Sequence, residues 1–291
     1  TWIGDENQPK LLEKPAGTQL PKVTWRDNDI DAWKKKVQSA VDVIRRDSLD
    51  KVVLAREIIA DIDSPIDPRT VLRKLAKDYP GTWVYSNNGL IGATPELLIR
   101  LNNSMVVSRV LAGTISKTGD DSKDLALAAS LARSSKDLEE HEYAVRSVAD
   151  ALAPFCSSTN VPDAPFVLHL SNVMHLATDV TGAIKEGHKV IDIFSILSKL
   201  HPSAAVCGTP TNAAAELIKQ FEGINRGRYA GPIGWIDARG DGEQGLALRC
   251  GYLKDREVHA YAGCGIVAGS DAEHEAAESQ AKLLPIINAL G

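Results

Sequence analysis

Four cysteines in 291 residues, none of them in a CxxC pair, leave no basis for a disulfide framework or a zinc-binding cluster. Cys156, Cys207, Cys250 and Cys264 stand far apart and read as reduced, partly buried thiols of a cytoplasmic protein. No apolar run approaches the ~20 residues that a membrane-spanning helix needs. The opening stretch TWIGDE is not a basic segment followed by an apolar one, so it does not read as a signal peptide. A long Lys/Arg run is missing too, and the formal net charge is −5, which argues against a nucleic-acid partner and for a small-molecule ligand. Neither a GxxxxGK[ST] phosphate loop nor a GxSxG nucleophile elbow occurs. Internal repeats and low-complexity segments are absent.

What is present is an ordinary globular composition, 44% hydrophobic and 24% charged, at a length that buries a large core without covalent staples. The chain starts at Thr1 rather than Met, as a processed, truncated or C-terminal product would. Residues 1–29 read as a polar lead-in with Pro9, Pro15 and Pro21; no linker marks 30–291, which reads as one domain. Asp31 is the expected cap of a helix with Trp33, Val37, Val41 and Ile44 at helical spacing. KVVLAREI, from Lys51, is an apolar strand headed by a lysine. Asp67-Pro68 opens a second helix, which Pro80 ends. Residues 82–114 are strand-rich, with turns at Asn87-Asn88-Gly89 and Asn102-Asn103. Residues 121–153 read as two helices and 164–184 as strand. VIDIFSILSKL and NAAAELIKQFE are helical, 231–267 reads as an antiparallel meander, and a last helix covers 271–289. Strands in runs with helices grouped between them predict an α+β fold with large, mainly antiparallel sheets.

Several clusters could carry chemistry. On the last helix Ala272, Ala276, Ser279, Leu283, Ile286 and Leu290 share the core side, while Glu275, Glu278 and Lys282 fall on one flank. Two carboxylates beside a lysine could hold a hard cation and an anion together; spacing alone favours an exposed Glu278–Lys282 pair. In KDLEEHEYAV the stripe Leu138, Val145, Val148, Ala149 and Leu152 leaves Glu140 on the opposite, solvated side and His141 as a packed histidine. Gly263 and Gly265 in AGCGIV let a ligand approach the backbone, although an ordinary turn explains them equally. LAGT at 111–114 is similar, with a hydroxyl added. Arg249 alternates with Leu246 and Leu248 and so belongs on the opposite strand face; its fork fits a carboxylate, in a ligand or in a structural ion pair. Tyr229 and His175 carry no assignment on chemistry alone. Lys51, taken by itself, reads as a solvated cation at a strand end.

Taken together, KVVLAR, GATPELLIR, LAGT, KDLEEHE, HLAT, LHPSAAVCGTP, RYAGPIGW, LALRC, AGCGIV and EHEAAESQAK resemble, in order, the motifs of chorismate-utilising enzymes. That family includes anthranilate, aminodeoxychorismate, isochorismate and salicylate synthases, and the resemblance runs from about residue 30 to the end. It implies antiparallel sheets packed on each other with helices outside, and a Mg²⁺-dependent site in a cleft. By motif match, Glu140, Glu275 and Glu278 would hold or surround Mg²⁺, which would bind the ring carboxylate of chorismate. Arg249, Tyr229, Gly263, Gly265 and Lys282 would hold the enolpyruvyl carboxylate and nearby groups. Gly113 and Thr114 would line the ring pocket, with His175 beside the substrate. The resemblance thus places Glu140 in the site, against the helical periodicity.

The same resemblance gives Lys51 a role. Family members that use ammonia carry glutamine at this position, and members that use water carry lysine. Water needs its proton removed; a lysine can do this near neutral pH only if its pKa falls from about 10.4 by roughly 2–3 units. Glu96, in TPELL, matches the acid that protonates the departing C4 hydroxyl. HLAT and HPSAAVCGTPT look like the isochorismate synthases, which add water at C2. Salicylate synthases, which also eliminate pyruvate, are the alternative, and a non-catalytic chorismate-binding subunit is a third reading. The sequence departs from the family at Ser116-Lys117, where basic residues usually follow AGT, and at HPSAA, where HPTPA is frequent. The family's N-terminal region of sheet is short or absent here. A monomer or weak homodimer is expected.

Overall fold

The computed structural model describes residues 20–46, 49–185 and 192–291. In chain order, β1 (Val23–Trp25), α1 (Ile30–Ile44), β2 (Lys51–Ile62) and α2 (Pro68–Asp78) lead into β3 (Trp83–Asn87), β4 (Leu90–Thr94), β5 (Leu97–Asn102) and β6 (Met105–Ser116). Two helices follow, α3 (Asp121–Leu131) and α4 (Ser135–Leu152), then β7 (Cys156–Asn160), β8 (Phe166–His169) and β9 (Val173–Ile184). The rest runs α5 (Ile193–Leu200), β10 (Gly208–Thr209), α6 (Thr211–Phe221), β11 (Pro232–Ile236), β12 (Gly242–Leu246), β13 (Cys250–Lys254), β14 (Glu257–Ile266) and α7 (Ala272–Leu290). No helix among the described residues is long and apolar enough to cross a membrane.

The strands form two antiparallel sheets, so the fold is α+β as expected. The first runs β1-β2-β14-β13-β4-β3, with β10 on β2; the second runs β11-β12-β5-β6-β9-β7, with β8 on β9. β2 is buried along nearly its whole length because both of its faces are covered. Val52 and Leu54 pack on α1, α6 and α7; Ile58, Ala60 and Ile62 pack on α2 and the end of α7. The other face carries Lys51, Val53 and Ala55. Ala55, Leu90, Cys250 and Tyr261 of the first sheet share one core cluster with Ile99, Val106, Val180 and Leu246 of the second, and α4 and α5 join it through Ala144, Val148, Ile196 and Leu200. A strand covered on both sides has to read as a near-continuous apolar run.

Local chemistry sets the element ends. Asp67 caps α2, accepting from Arg69 N, with Pro68 at the first turn. α1 begins earlier than expected: Asp29, not Asp31, is the cap and accepts from Ala32 N at 2.8 Å. Asn88 and Gly89 take positive φ in the β3–β4 turn, as do Asn103 and Ser104 between β5 and β6. Part of the lead-in is ordered, since β1 pairs with β2; residues 1–19 lie outside the described residues, as do Val190 and Ile191 of the expected VIDIF helix.

The expected meander is instead two hairpins in different sheets. β11–β12 belongs to the second sheet and β13–β14 to the first, and the chain crosses between them at Ala247–Arg249. A second crossing, at Pro95-Glu96, joins β4 of the first sheet to β5 of the second. The two crossings lie side by side: Leu246 N donates to Glu96 O at 3.1 Å, and Ala93 N to Arg249 O at 3.3 Å.

Candidate active site

The crossings deliver two charged side chains to the gap between the sheets. Glu96 and Arg249 are 6% and 8% exposed and line one cleft, of about 560 Å³ counted out to its mouth. Arg249 adopts φ +49°, so it sits at a turn, and the strand alternation inferred from its leucine neighbours does not hold. Burial raises the Glu96 carboxyl to about 7, although Arg249, Lys51 and Lys282 pull the other way. The carboxyl is therefore a proton donor in the neutral range.

β6 and β9 supply the next wall. A bulge between Ala112 and Thr114 puts Gly113 at φ +76° against α4; a Cβ there would lie 3.0 Å from Asp137 Cβ. Across the bulge, His175 is buried, and burial and Arg249 hold its pKa well below the usual histidine range. The neutral ring accepts from Arg249 Nη2 at Nε2, 2.8 Å, so its proton sits on Nδ1, facing Thr114 Oγ1 at 3.1 Å and Gly113 O at 3.4 Å. His175 thus ties the arginine to the bulge. Tyr229, 7% exposed, stacks on Tyr261 with ring centroids 5.4 Å apart. Gly263 and Gly265 of β14 complete the wall: a Cβ at Gly263 would fall 2.9 Å from Tyr229 Oη, and one at Gly265 only 2.1 Å from Glu140 Oε1.

Lys51 is fully buried, not a solvated strand end. It lies behind Glu140, which does line the cleft, with its ammonium 3.4 Å from Glu140 Oε1 and 3.3 Å from Glu140 O. Burial pulls the lysine pKa down, and Glu140 and Glu96 oppose this. Glu140 is 5% exposed, against the helical-periodicity reading. It stands four and eight residues before Ala144 and Val148, both buried, so the inward face of α4 runs along Glu140, Ala144 and Val148. Small Ala144 gives that face little hydrophobic signal. His141 is the packed histidine expected, bonded to Ala112 O (3.2 Å) and Thr178 Oγ1 (2.7 Å); burial lowers its pKa to about 4.

On α7 the Glu278–Lys282 pair is largely enclosed rather than exposed, at 2.5 Å with side chains 11% and 13% accessible. Lys282 also donates to Gly263 O at 3.0 Å and reaches the cleft. Burial pushes the Glu278 carboxyl up, but Lys282 and Lys136 outweigh it and hold it below its ordinary value. Glu275 is 1% exposed, and burial next to Glu278 raises it to about 7. Both of these glutamates line a neighbouring cavity that shares Thr114 with the cleft.

Carboxylate oxygens of Glu275 and Glu278 and the thiol of Cys264 lie within 4.8 Å of one another. Glu275 Oε1 faces only the Lys136 ammonium, 2.8 Å away, and Oε2 has no hydrogen-bond partner among the described residues. A buried carboxylate with an unpartnered oxygen beside a second carboxylate, with Glu140 in the same field, suits a hard divalent cation. Two residues in this region carried no signal of their own in the sequence reading. Lys136, inside KDLEEHE, is a lysine at the start of a helix and resembles any solvated cation. Arg226 lines the cleft, paired with Glu222 and donating to Val206 O (2.8 Å) and Val53 O (2.7 Å).

Known proteins resemble the chain in sequence and in fold. The sequence profile described as "Chorismate binding enzyme" matches residues 5–291. Isochorismate synthase MenF of Bacillus subtilis is 36% identical over 267 residues, covering 90% of this chain and 56% of that protein. The chain therefore spans just over half the length of this curated relative. The crystal structure of the putative 2,3-dihydroxybenzoate-specific isochorismate synthase DhbC from Bacillus anthracis superposes with a TM-score of 0.87 at 35% identity, over 94% of this chain and 76% of that one. That of MenF, the menaquinone-specific isochorismate synthase from Escherichia coli, gives 0.82 at 27% identity, over 97% and 66%.

Proposed function

Because the chain belongs to the chorismate binding enzyme family, we propose that it converts chorismate to isochorismate, with Mg²⁺ in the acidic cluster. The observation that carries the reading is a buried carboxyl raised to about 7 in the wall of the cleft, with a fully buried lysine of lowered pKa against Glu140 of the same wall. A module that only bound chorismate would need neither. The names of the relatives point the same way.

In this reading Lys51, neutral, takes a proton from water as the water oxygen bonds to C2. The ring double bond shifts, and the C4–O bond breaks. Glu96, protonated, gives its proton to the leaving hydroxyl, so water enters and water departs. Arg249, held by His175, and Lys282 bind the carboxylate of the enolpyruvyl group, with Tyr229 packed against it. Gly113 and Thr114 line the ring, and Gly263 and Gly265 leave room for the substrate. Glu140, Glu275 and Glu278 would hold Mg²⁺, which when bound supplies positive charge for the ring carboxylate.

The test is product analysis after incubation with chorismate and Mg²⁺. Isochorismate without pyruvate is expected. Salicylate with pyruvate would move the protein to the salicylate synthases, and binding without turnover would make it a binding subunit. In Lys51→Ala, kcat should fall by about 10²–10⁴-fold, the usual worth of a general base, with chorismate still bound. Wild-type kcat in that variant would remove Lys51 from the chemistry.

A further inference from the structure

Each of the three acidic residues has a lysine of its own. Lys51 sits on Glu140, Lys282 on Glu278 and Lys136 on Glu275. The three lysines are held differently. Lys51 and Lys282 are tied down by backbone carbonyls, of Glu140 and Gly263. Lys136 is held by side chains alone: its ammonium lies 2.8 Å from Glu275 Oε1 and 3.8 Å from Asp137 Oδ1. Its side chain is 25% exposed, while the Glu275 it faces is 1% exposed. The cavity that Lys136 lines with Glu275 and Glu278 is open towards solvent, with His274 at its edge.

The position of Lys136 in α4 is also unfavourable by itself. It is the second residue of the helix, where the positive end of the helix dipole repels a cation. Glu275 offsets that repulsion. The Lys136 ammonium stands against Glu275 before any metal arrives. A dication entering beside Glu275 meets an ammonium already there.

Resting on the metal reading above, we propose that Lys136 is a resident counter-ion for Glu275 that the divalent cation must displace. The ammonium holds the buried carboxylate in place in the metal-free protein, and it swings out through the open cavity when the ion enters. Lys136 thereby sets the ion concentration at which the site fills. A residue that merely oriented Glu275 for the metal would act in the opposite sense, since its loss would weaken binding.

Mn²⁺ titrated into the whole chain, with free Mn²⁺ followed by electron paramagnetic resonance, separates the two and needs no turnover. Lys136→Gln should bind Mn²⁺ about tenfold more tightly or better, because no ammonium competes for Glu275. Lys136→Arg, which can fork onto the carboxylate, should bind it more weakly than wild type. The expected order of affinity is Gln, then Lys, then Arg, and Mg²⁺ should compete in all three. Affinity equal to or below wild type in Lys136→Gln, or equal to or above it in Lys136→Arg, overturns the proposal; either variant alone decides if the other does not fold. If wild type binds no Mn²⁺, the metal reading fails and this proposal with it. Glu275→Gln should lose the binding, and retained wild-type affinity there would show that the ion sits elsewhere and sink the counter-ion role.

Discussion

A lysine with no accessible surface and a glutamic acid 6% exposed are costly side chains, and each is left in the form that acid–base chemistry needs. Burial drives Lys51 towards the neutral amine and Glu96 towards the protonated acid. If Glu96 is the acid, the active form carries its proton, so kcat should fall as pH rises through about 7, the value to which burial lifts the carboxyl. If Lys51 is the base, kcat should also fall at low pH, giving a bell. A kcat independent of pH between 6 and 9 would take Glu96 out of the acid's role. A single methyl group offers a second test at this scale. Gly265→Ala would place Cβ 2.1 Å from Glu140 Oε1 and 2.8 Å from Lys51 Cε. Displacing those groups by an ångström should cost about 10²-fold in kcat. The far-UV circular dichroism should stay that of wild type; unimpaired kcat would mean that the Lys51–Glu140 geometry is irrelevant to turnover.

At the level of elements, the site depends on two interruptions, a bulge in β6 and the paired crossings between sheets. Gly113 lets α4 come down onto the bulge, and α4 brings Glu140. In Gly113→Ala the left-handed backbone costs about 1–2 kcal/mol, and the new Cβ also meets Asp137 Cβ at 3.0 Å. Gly119→Ala is the control: φ is +82° there, but nothing lies within 4 Å. Urea midpoints should drop for both, more for Gly113→Ala, and only that variant should lose activity. Equal losses in both variants would rule out the helix contact. The same interruptions explain what could be read in the sequence. The Asp67-Pro68 helix start and the Asn88-Gly89 turn rest on residues beside them, and so were legible. The crossing at Ala247–Arg249 has no glycine or proline to mark it, because Arg249 itself takes the positive φ, and so two hairpins read as one meander. Glu140 read as solvated because a wheel registers hydrophobicity, and the face it shares with Ala144 is lined at that end by polar chemistry.

Across the whole molecule, the antiparallel α+β architecture was legible because β2 and its neighbours carry long apolar runs and the helices carry clear stripes. Which charges would be buried was not legible: only the packing of two sheets decides that Lys51, Glu96, His175 and Arg249 share one interior space. The resemblance named those residues; their burial and hydrogen bonding come from the fold. Gathering them should cost stability, and the cost can be measured at Glu96. Its carboxyl is raised from 4.5 to about 7 in the folded chain. Between these values the unfolded chain has lost the proton that the native one keeps. Stability is therefore fully present below about pH 4.5 and is lost as pH rises through 7. A shift of that size is worth about 3 kcal/mol at most. Glu96→Gln cannot titrate, so it should be the more stable protein at pH 8, with an advantage over wild type that shrinks steadily towards pH 5. His175 contributes in the opposite sense: its depressed pKa means that stability is present above 6.5 and lost as pH falls below it, equally in wild type and variant. The difference between the two proteins therefore reports Glu96 together with Lys51, whose pKa Glu96 supports. Urea unfolding of both at pH 5, 6, 7 and 8, without added metal or chorismate, would show it. A difference that stays constant across that range would mean that Glu96 ionises in the folded protein as an ordinary carboxylate, and the acid in the mechanism would have to be sought elsewhere along the cleft.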